Sequence, residues 1–314
     1  MARYLIRRVG FLAITLILTS LIVFTITQFL PGDVARVVLG REAGEEALEA
    51  FREQYGLNDP LPVQYLRWFT NFVTGNWGQS LSTRSAIYPV VMERLGNSLI
   101  LAGMTMLIAV PLAIFLGVLA GLNEGKATDS AISISALAVV GLPEFVTGLV
   151  LIQIFSRWLG WLPANSSVRP GATIVEMLPM LILPALTATL VLLAYIIRLT
   201  RAGVLEELNR PYVRTATLKG LPRRVVIFKH VLRNALLPTI TVIAISFGWL
   251  ISGLIVIENV FNYPGLGRML VFAIDRRDLP LMQAITMITV IGFALANLVA
   301  DLVYAWLNPR IRLS

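Results

Sequence analysis

The stretch RLTRAGVLEELNRPYVRTATLKGLPRRVVIFKHVLRNALLP, residues 198–238, decides how the rest of the chain is read. It sets nine basic residues against two acidic ones, Glu206 and Glu207, and lies between apolar runs at 177–197 and 236–257. A bilayer core about 30 Å thick needs roughly 20 apolar residues per helix, and both runs have that length. Short cytoplasmic loops carry an excess of Lys and Arg, so a basic segment between two spans marks the inner side of a membrane. The uncharged residues within it supply punctuation. Pro211 is a favoured first helical residue, with Asn209 or Arg210 as its cap. Tyr212, Val213, Arg214, Thr215, Ala216, Thr217, Leu218 and Lys219 continue the helix, Gly220 stops it and Pro222 lies just beyond. The spacing predicts about two helical turns, with Tyr212, Thr215, Ala216 and Lys219 on one stripe. A second helical stretch over 223–237 leads into the next span through Pro238.

The composition of the whole chain agrees. Of 314 residues, 57% are hydrophobic and 14% charged, with a mean hydropathy of +0.78. Soluble domains carry about 25% charged residues; this much apolar surface requires a membrane as part of the solvent. The net charge of +8 is concentrated in a few short segments, the pattern of membrane orientation and not of nucleic-acid binding. With no Cys, disulfides, thiol catalysis and Cys-ligated metals are excluded.

Working outward, further apolar runs lie at 9–30, 98–122, 131–156 and 279–300, the last continuing to Trp306. Arg3, Arg7 and Arg8 precede the first run. It exceeds the 7–15 residues typical of a signal-peptide core and is read as an uncleaved helix. The second run contains Pro111 and places Gly117 and Gly121 four apart, a small-residue face for close helix contact; Gly248 and Ser252 repeat the spacing in the fifth. The third is broken at Gly141-Leu142-Pro143-Glu144. Six spans put both termini on the inner side. The inner segments then hold 15 basic and 4 acidic residues, the outer ones 11 and 12.

Residues 31–97 are more polar. A surface helix is expected over 45–55, a turn at Asn58-Asp59-Pro60, and a helix over 62–73 with Tyr65, Trp68, Phe69 and Phe72 on one face. Such a face suits an interfacial helix or a small soluble cap. The expected fold is therefore an all-α polytopic membrane protein of six transmembrane helices with both termini cytoplasmic. Its parts are 1–30 (N-terminus and first helix), 31–97 (external region), 98–306 (helices two to six, with a cytoplasmic loop at 198–235) and 307–314 (cytoplasmic tail).

Catalysis requires a nucleophile, base or metal in a workable arrangement. The one histidine, His230, sits between Lys229 and Arg233 and is read as a surface residue. Gly125-Lys126-Ala127 lacks the first glycine and the hydroxyl of a phosphate-binding loop, so no ATP hydrolysis is expected of this chain. Three acids touch the spans: Glu144, Glu258 and Asp301. Acids in a membrane are costly and mark functional positions. Glu144 and Asp301 are the candidates for lining a pathway, and Glu258 is placed at the interface.

The basic segment also resembles the cytoplasmic loop of ABC-importer permeases, whose general pattern is Glu-Ala-Ala-x3-Gly. This chain has Arg214-Thr215-Ala216-x3-Gly220, differing at the first two positions. The peptide-importer branch has a similar Arg-Thr-Ala followed by a step like Lys219-Gly220-Leu221-Pro222. Leu30-Pro31-Gly32-Asp33, Tyr55-Gly56-Leu57-Asn58-Asp59-Pro60, Gly141-Leu142-Pro143, residues 258–267 and Asn308-Pro309-Arg310 match that branch too. On these motifs the chain is identified as a member of the dipeptide/oligopeptide/nickel permease family, as the first of its two permease subunits.

The resemblance implies a noncatalytic subunit in a bacterial or archaeal plasma membrane. It implies a second homologous permease, two ATPase subunits that hold ATP and Mg²⁺, an external substrate-binding protein and surrounding lipid as partners, with no cofactor in this chain. The 211–220 helix, with Pro211, Tyr212, Arg214, Thr215, Ala216, Lys219, Gly220 and Pro222, would couple to an ATPase. Peptides are the implied cargo, with nickel, glutathione and oligosaccharides as alternatives. A stand-alone carrier or channel would instead transport without partners, and an intramembrane enzyme would need the nucleophile and base missing above.

Overall fold

A computed structural model describes residues 2–28, 34–40, 42–54, 56–167, 169, 171 and 173–307. Leu30-Pro31-Gly32-Asp33, Tyr55, Asn308-Pro309-Arg310 and the rest of the 308–314 tail lie outside the described residues. Apolar length sets the element list. Five helices are long and apolar enough to cross a membrane: Ile6–Gln28, Ile87–Leu122, Val175–Leu208, Arg223–Gly253 and Leu279–Val303. A sixth crossing is supplied if the bent pair Ala127–Val140 and Glu144–Trp158, which turns through 106°, is counted as one span. Proline disfavours helical geometry in the residue before it, and Pro143 is followed directly by the second arm. Among the described residues the extended structure is one isolated bridge, Gln79 with Ala86, so the all-α expectation holds.

In chain order the helices are α1 (Ala2–Gln28), α2 (Val34–Leu39), α3 (Glu45–Gln54), α4 (Leu61–Val73), α5 (Ile87–Leu122), α6 (Ala127–Val140) and α7 (Glu144–Leu151, extended by a π-helical Ile152–Trp158). Then come α8 (Ile174–Leu208), α9 (Pro211–Leu218), α10 (Arg223–Val225, extended by a π-helical Val226–Val231), α11 (Leu232–Gly253), α12 (Ile255–Val260), α13 (Leu266–Asp275) and α14 (Leu279–Leu307). Two boundaries differ from the hydropathy reading. α5 starts at Ile87 rather than at 98, and α8 continues from the apolar run to Leu208. Backbone hydrogen bonding does not stop where apolar character does, so charged turns extend both helices. Arg198 and Arg201 therefore belong to α8 and not to a loop. α13 was not foreseen, because ten residues are too few to register as a span.

The chain divides into two compact units, Met1–Ser98 with Gly265–Ala294 and Leu99–Pro264 with Leu295–Ser314. In the first, the aromatic face of α4 packs on α1. The Phe24 and Tyr65 rings meet edge-on at 5.5 Å, and the Tyr65 and Ser20 hydroxyls are 2.8 Å apart. Phe72 stacks on Trp77 at 5.1 Å. The expected aromatic stripe is thus a packing surface. Ile87, Val91, Leu266, Ala273, Leu281 and Ile285 form the core. Buried Asp278 accepts hydrogen bonds from Ser80 Oγ (2.5 Å), Ser82 Oγ (2.8 Å) and Ser82 N (3.1 Å), which fixes the 78–86 turn.

In the second unit α8 is the central helix. Of its apolar window 67% is buried, against 28% for the α5 and α11 windows. Small residues let its neighbours approach, as the 117/121 spacing predicts. A Cβ at Gly117 would lie 2.6 Å from Thr200 Cβ, and one at Gly121 2.8 Å from Val204 Cγ1. On the α11 side, a Cβ at Gly203 would lie 2.5 Å from the Ala235 carbonyl oxygen. Buried Phe261, after α12, lies against Gly148 of α7, and its carbonyl accepts a hydrogen bond from Ser166 N at 2.8 Å.

Candidate coupling site

The α9 helix forms where the proline and glycine punctuation places it. Pro211 occupies the first turn. The preceding position is Arg210, in extended conformation and without a side-chain cap. Asn209 instead closes α8, its Nδ2 donating to Leu205 O at 2.9 Å. Gly220 takes φ +76, the left-handed region that glycine enters without a Cβ penalty. Pro222 then caps α10, so one residue, Leu221, separates the glycine stop from the next start.

The helix has two faces with different duties. Val213 and Ala216, each 7% exposed, are buried in a cluster with Val204 of α8, Val226 and Val231 of the π-helical turn and Ala235 of α11. The expected stripe of Tyr212, Thr215, Ala216 and Lys219 is therefore divided. Ala216 faces this chain's own core, because its small side chain is what lets α9 lie close to it. Pro211, Arg214, Thr215, Lys219, Gly220 and Pro222 are exposed, and so is Leu218, at 80%.

Tyr212 fastens the helix at its start. Its hydroxyl donates to the Glu207 carboxylate at the end of α8 and accepts from Asn234 Nδ2 of α11 at 3.1 Å. Burial first, and then the Glu207 carboxylate, push the phenol above its ordinary pKa. Arg210 Nη2 reaches Glu206 Oε1 at 2.5 Å across one turn. α9 is thereby held to the end of one long helix and the start of the next.

An ion pair that the sequence reading missed lies near the α9 end of α8. Arg201 Nε donates to Asp129 Oδ1 at 2.6 Å and Nη2 to Oδ2 at 2.7 Å. The Asp129 side chain, in the first turn of α6, is 8% exposed. It also accepts from Gly125 N at 3.1 Å and Ser133 Oγ at 3.3 Å. In the sequence Arg201 reads only as one of the nine basic residues that mark the inner side. An acid in a first helical turn is a visible signal, but its partner 72 residues away is not.

The candidate pathway acids lie on separate elements. Glu144 begins α7 directly after the Pro143 break and Asp301 is on α14; both are half-buried. Glu258, expected at an interface, is buried in α12, and the Tyr263 N–H closes on its carbonyl at 2.8 Å. His230 is half-buried in the π-helical turn after α10.

Membrane-length helices, with a short fastened helix offering an exposed face between two of them, make this a polytopic membrane protein. Comparison makes the class specific. The chain belongs to the family described as binding-protein-dependent transport system inner membrane component, whose model matches residues 113–313; the model of the family's N-terminal part matches residues 1–102. It is a permease subunit of an ABC importer and a multi-pass inner-membrane protein. A protein named a probable peptide ABC transporter permease from Sinorhizobium fredii is 35% identical over 99% of this chain and 100% of its own length. A glutathione transport system permease protein of Escherichia coli is 37% identical over 99% of both. A crystal structure of an amino acid ABC transporter with histidines shares the fold over 69% of this chain and 93% of its own, with a TM-score of 0.54 and 16% identity.

Proposed function

We propose that this chain forms half of the pathway by which an importer takes short peptides, glutathione among them, across the inner membrane. The relatives named for peptide and glutathione transport support this cargo class. A second homologous permease supplies the other half, two ATPase subunits bind ATP and Mg²⁺ beneath, and an external binding protein delivers cargo. The chain itself holds no cofactor. Both termini face the cytoplasm, as do α9 and the basic segment, and Glu144 and Asp301 line the pathway.

The observation that carries the mechanism is the two-faced α9. Its inner face, Val213 and Ala216, is buried in its own chain, while Tyr212 is tied to α8 and α11. Its outer face, with Arg214, Thr215 and Lys219, is open to an ATPase groove, and Pro211, Gly220 and Pro222 set its ends. A push on the outer face moves α8 and α11 with it, because the inner face cannot slip without opening a packed cluster.

The test is uptake of labelled dipeptide and labelled glutathione by cells that lack other importers and carry the complete transporter. Thr215→Trp is expected to abolish uptake with normal membrane insertion. Normal uptake by that variant would remove α9 from the mechanism.

A further inference from the structure

The segment Thr200–Val204 of α8 (residues 200–204) gathers contacts with three other helices, all within about two turns of its α9 end. α5 closes on it through Gly117 and Gly121. α11 closes on it where Gly203 meets the Ala235 carbonyl, and the Thr200 and Thr239 hydroxyls are 3.3 Å apart. α6 is joined differently. Above its first turn a groove of about 330 Å³ opens between α5, α6 and α8, lined by Leu116, Ile132, Ala136, Val139, Leu193 and Ile197. Beside that groove, Ile132 and Ala136 in the middle of α6 pack against the cluster that holds Leu193 and Ile197 of α8. The attachment of α6 to α8 at this end is the two-pronged Arg201–Asp129 pair.

We propose that Arg201 and Asp129 are positioning residues that carry the displacement of α9 into α6, and through α6 into the broken span that bears Glu144. The inference rests on the permease reading above. Close packing moves α5, α11 and the middle of α6 with α8 whatever the charges are, whereas the first turn of α6 follows because a guanidinium fork holds its carboxylate in fixed orientation. Gly125 N and Ser133 Oγ hold that carboxylate from its own side, so the pull is delivered to the first turn of α6 as a unit. The pair is a strut, and a neutral side chain of the same size would leave the first turn of α6 behind when α9 moves.

The experiment uses the complete importer in proteoliposomes. This chain has no cysteine, so spin labels can be placed at Lys126→Cys, before α6, and Thr217→Cys, on α9, with partner cysteines replaced. Pulsed electron resonance reads their separation without nucleotide and after trapping with Mg-ATP and vanadate. For the native pair one separation is expected in both states. In Asp129→Asn and in Arg201→Met the separation is expected to change on trapping by about 2 Å or more, the scale of helix shifts in such transitions. ATP hydrolysis should continue and Asp129→Glu should restore the fixed separation. A fixed separation in both neutral variants would overturn the proposal, as would a native separation that changes between states. Failure of both variants to insert would also overturn it, by making the pair a folding element. Permease-stimulated ATPase activity of the native complex is the separate control: without it the permease reading itself falls, and this one with it.

Discussion

Gly203 gives the sharpest quantitative test of the helix packing. A Cβ added there lies 2.5 Å from the Ala235 carbonyl oxygen, while an ordinary carbon–oxygen contact is about 3.3–3.6 Å. In Gly203→Ala, α8 and α11 must part by about 1 Å to relieve the overlap. Overpacking of this kind costs about 1–3 kcal/mol, and the better helix propensity of alanine returns up to about 1 kcal/mol. The net expectation for alanine is a loss of about 1 kcal/mol. Gly203→Val adds two methyls at the same carbonyl without that full propensity gain, so its loss should reach about 3 kcal/mol. Where such a loss falls on the native state, unfolding of the purified chain in detergent accelerates by roughly a hundredfold. The assay is the half-life of the monodisperse species at a fixed temperature, since membrane-protein unfolding is commonly irreversible and a rate is the meaningful quantity. Gly10→Ala is the control, because nothing lies within 4 Å of its added Cβ. A native half-life for Gly203→Val, or an equal loss for Gly10→Ala, would refute the close approach. Uptake should fall in step, because Ala235 also belongs to the cluster that seats Val213 and Ala216.

The exposed tip of α9 tests the outer face separately: Leu218→Asp is expected to leave the half-life of the isolated chain within about 0.5 kcal/mol of native while ATP-driven uptake is lost, and unimpaired uptake would argue against docking there. Tyr212→Phe removes the bridge between Glu207 and Asn234, costing about 0.5–1.5 kcal/mol, which should appear as faster proteolysis of 209–222 with the spans intact. A tyrosine whose folded pKa is raised contributes fully below its unfolded value of about 10 and loses that contribution as pH rises through the higher folded value. Protection of 209–222 in the native chain should therefore stay flat from neutral pH to about pH 10 and fall above it. Asp278→Ala strips an acceptor from Ser80 Oγ, Ser82 Oγ and Ser82 N; loss of the acceptor of buried Ser80 costs about 1–3 kcal/mol, so hydrogen exchange should rise across 78–86 before it rises in the second unit.

Apolar length and helix punctuation are local properties, and the features they govern were legible. Pro211 and Gly220 bound α9, Gly141-Leu142-Pro143 breaks the bent pair, and Gly117 with Gly121 marks a close helix contact. Boundaries set by charge were less so: Glu93 and Arg94 ended the apolar run but not α5, and Arg198 and Arg201 did the same for α8. Glu258 ends an apolar run, which marks an interfacial acid; that the chain turns back at Tyr263 and buries it within the protein was not legible there.

The same distinction explains why half of the candidate coupling site could be read and half could not. A short helix between proline and glycine announces itself, but which of its faces belongs to the chain depends on Val204, Val226, Val231 and Ala235, which converge from three other segments. Ala216 is small because it is packed against these residues, whereas Thr215, one position earlier, is exposed. A helix meant to transmit force needs both conditions: an outer face free to be pushed, and an inner face that cannot yield. If α9 were exposed all round it would bind a partner and pivot; if it were buried all round nothing could push it. The division of α9 between Val213 and Ala216 on one side and Arg214, Thr215 and Leu218 on the other is what the coupling role proposed for it requires. The strut proposed for Arg201 and Asp129 extends that requirement to the first turn of α6, below the groove.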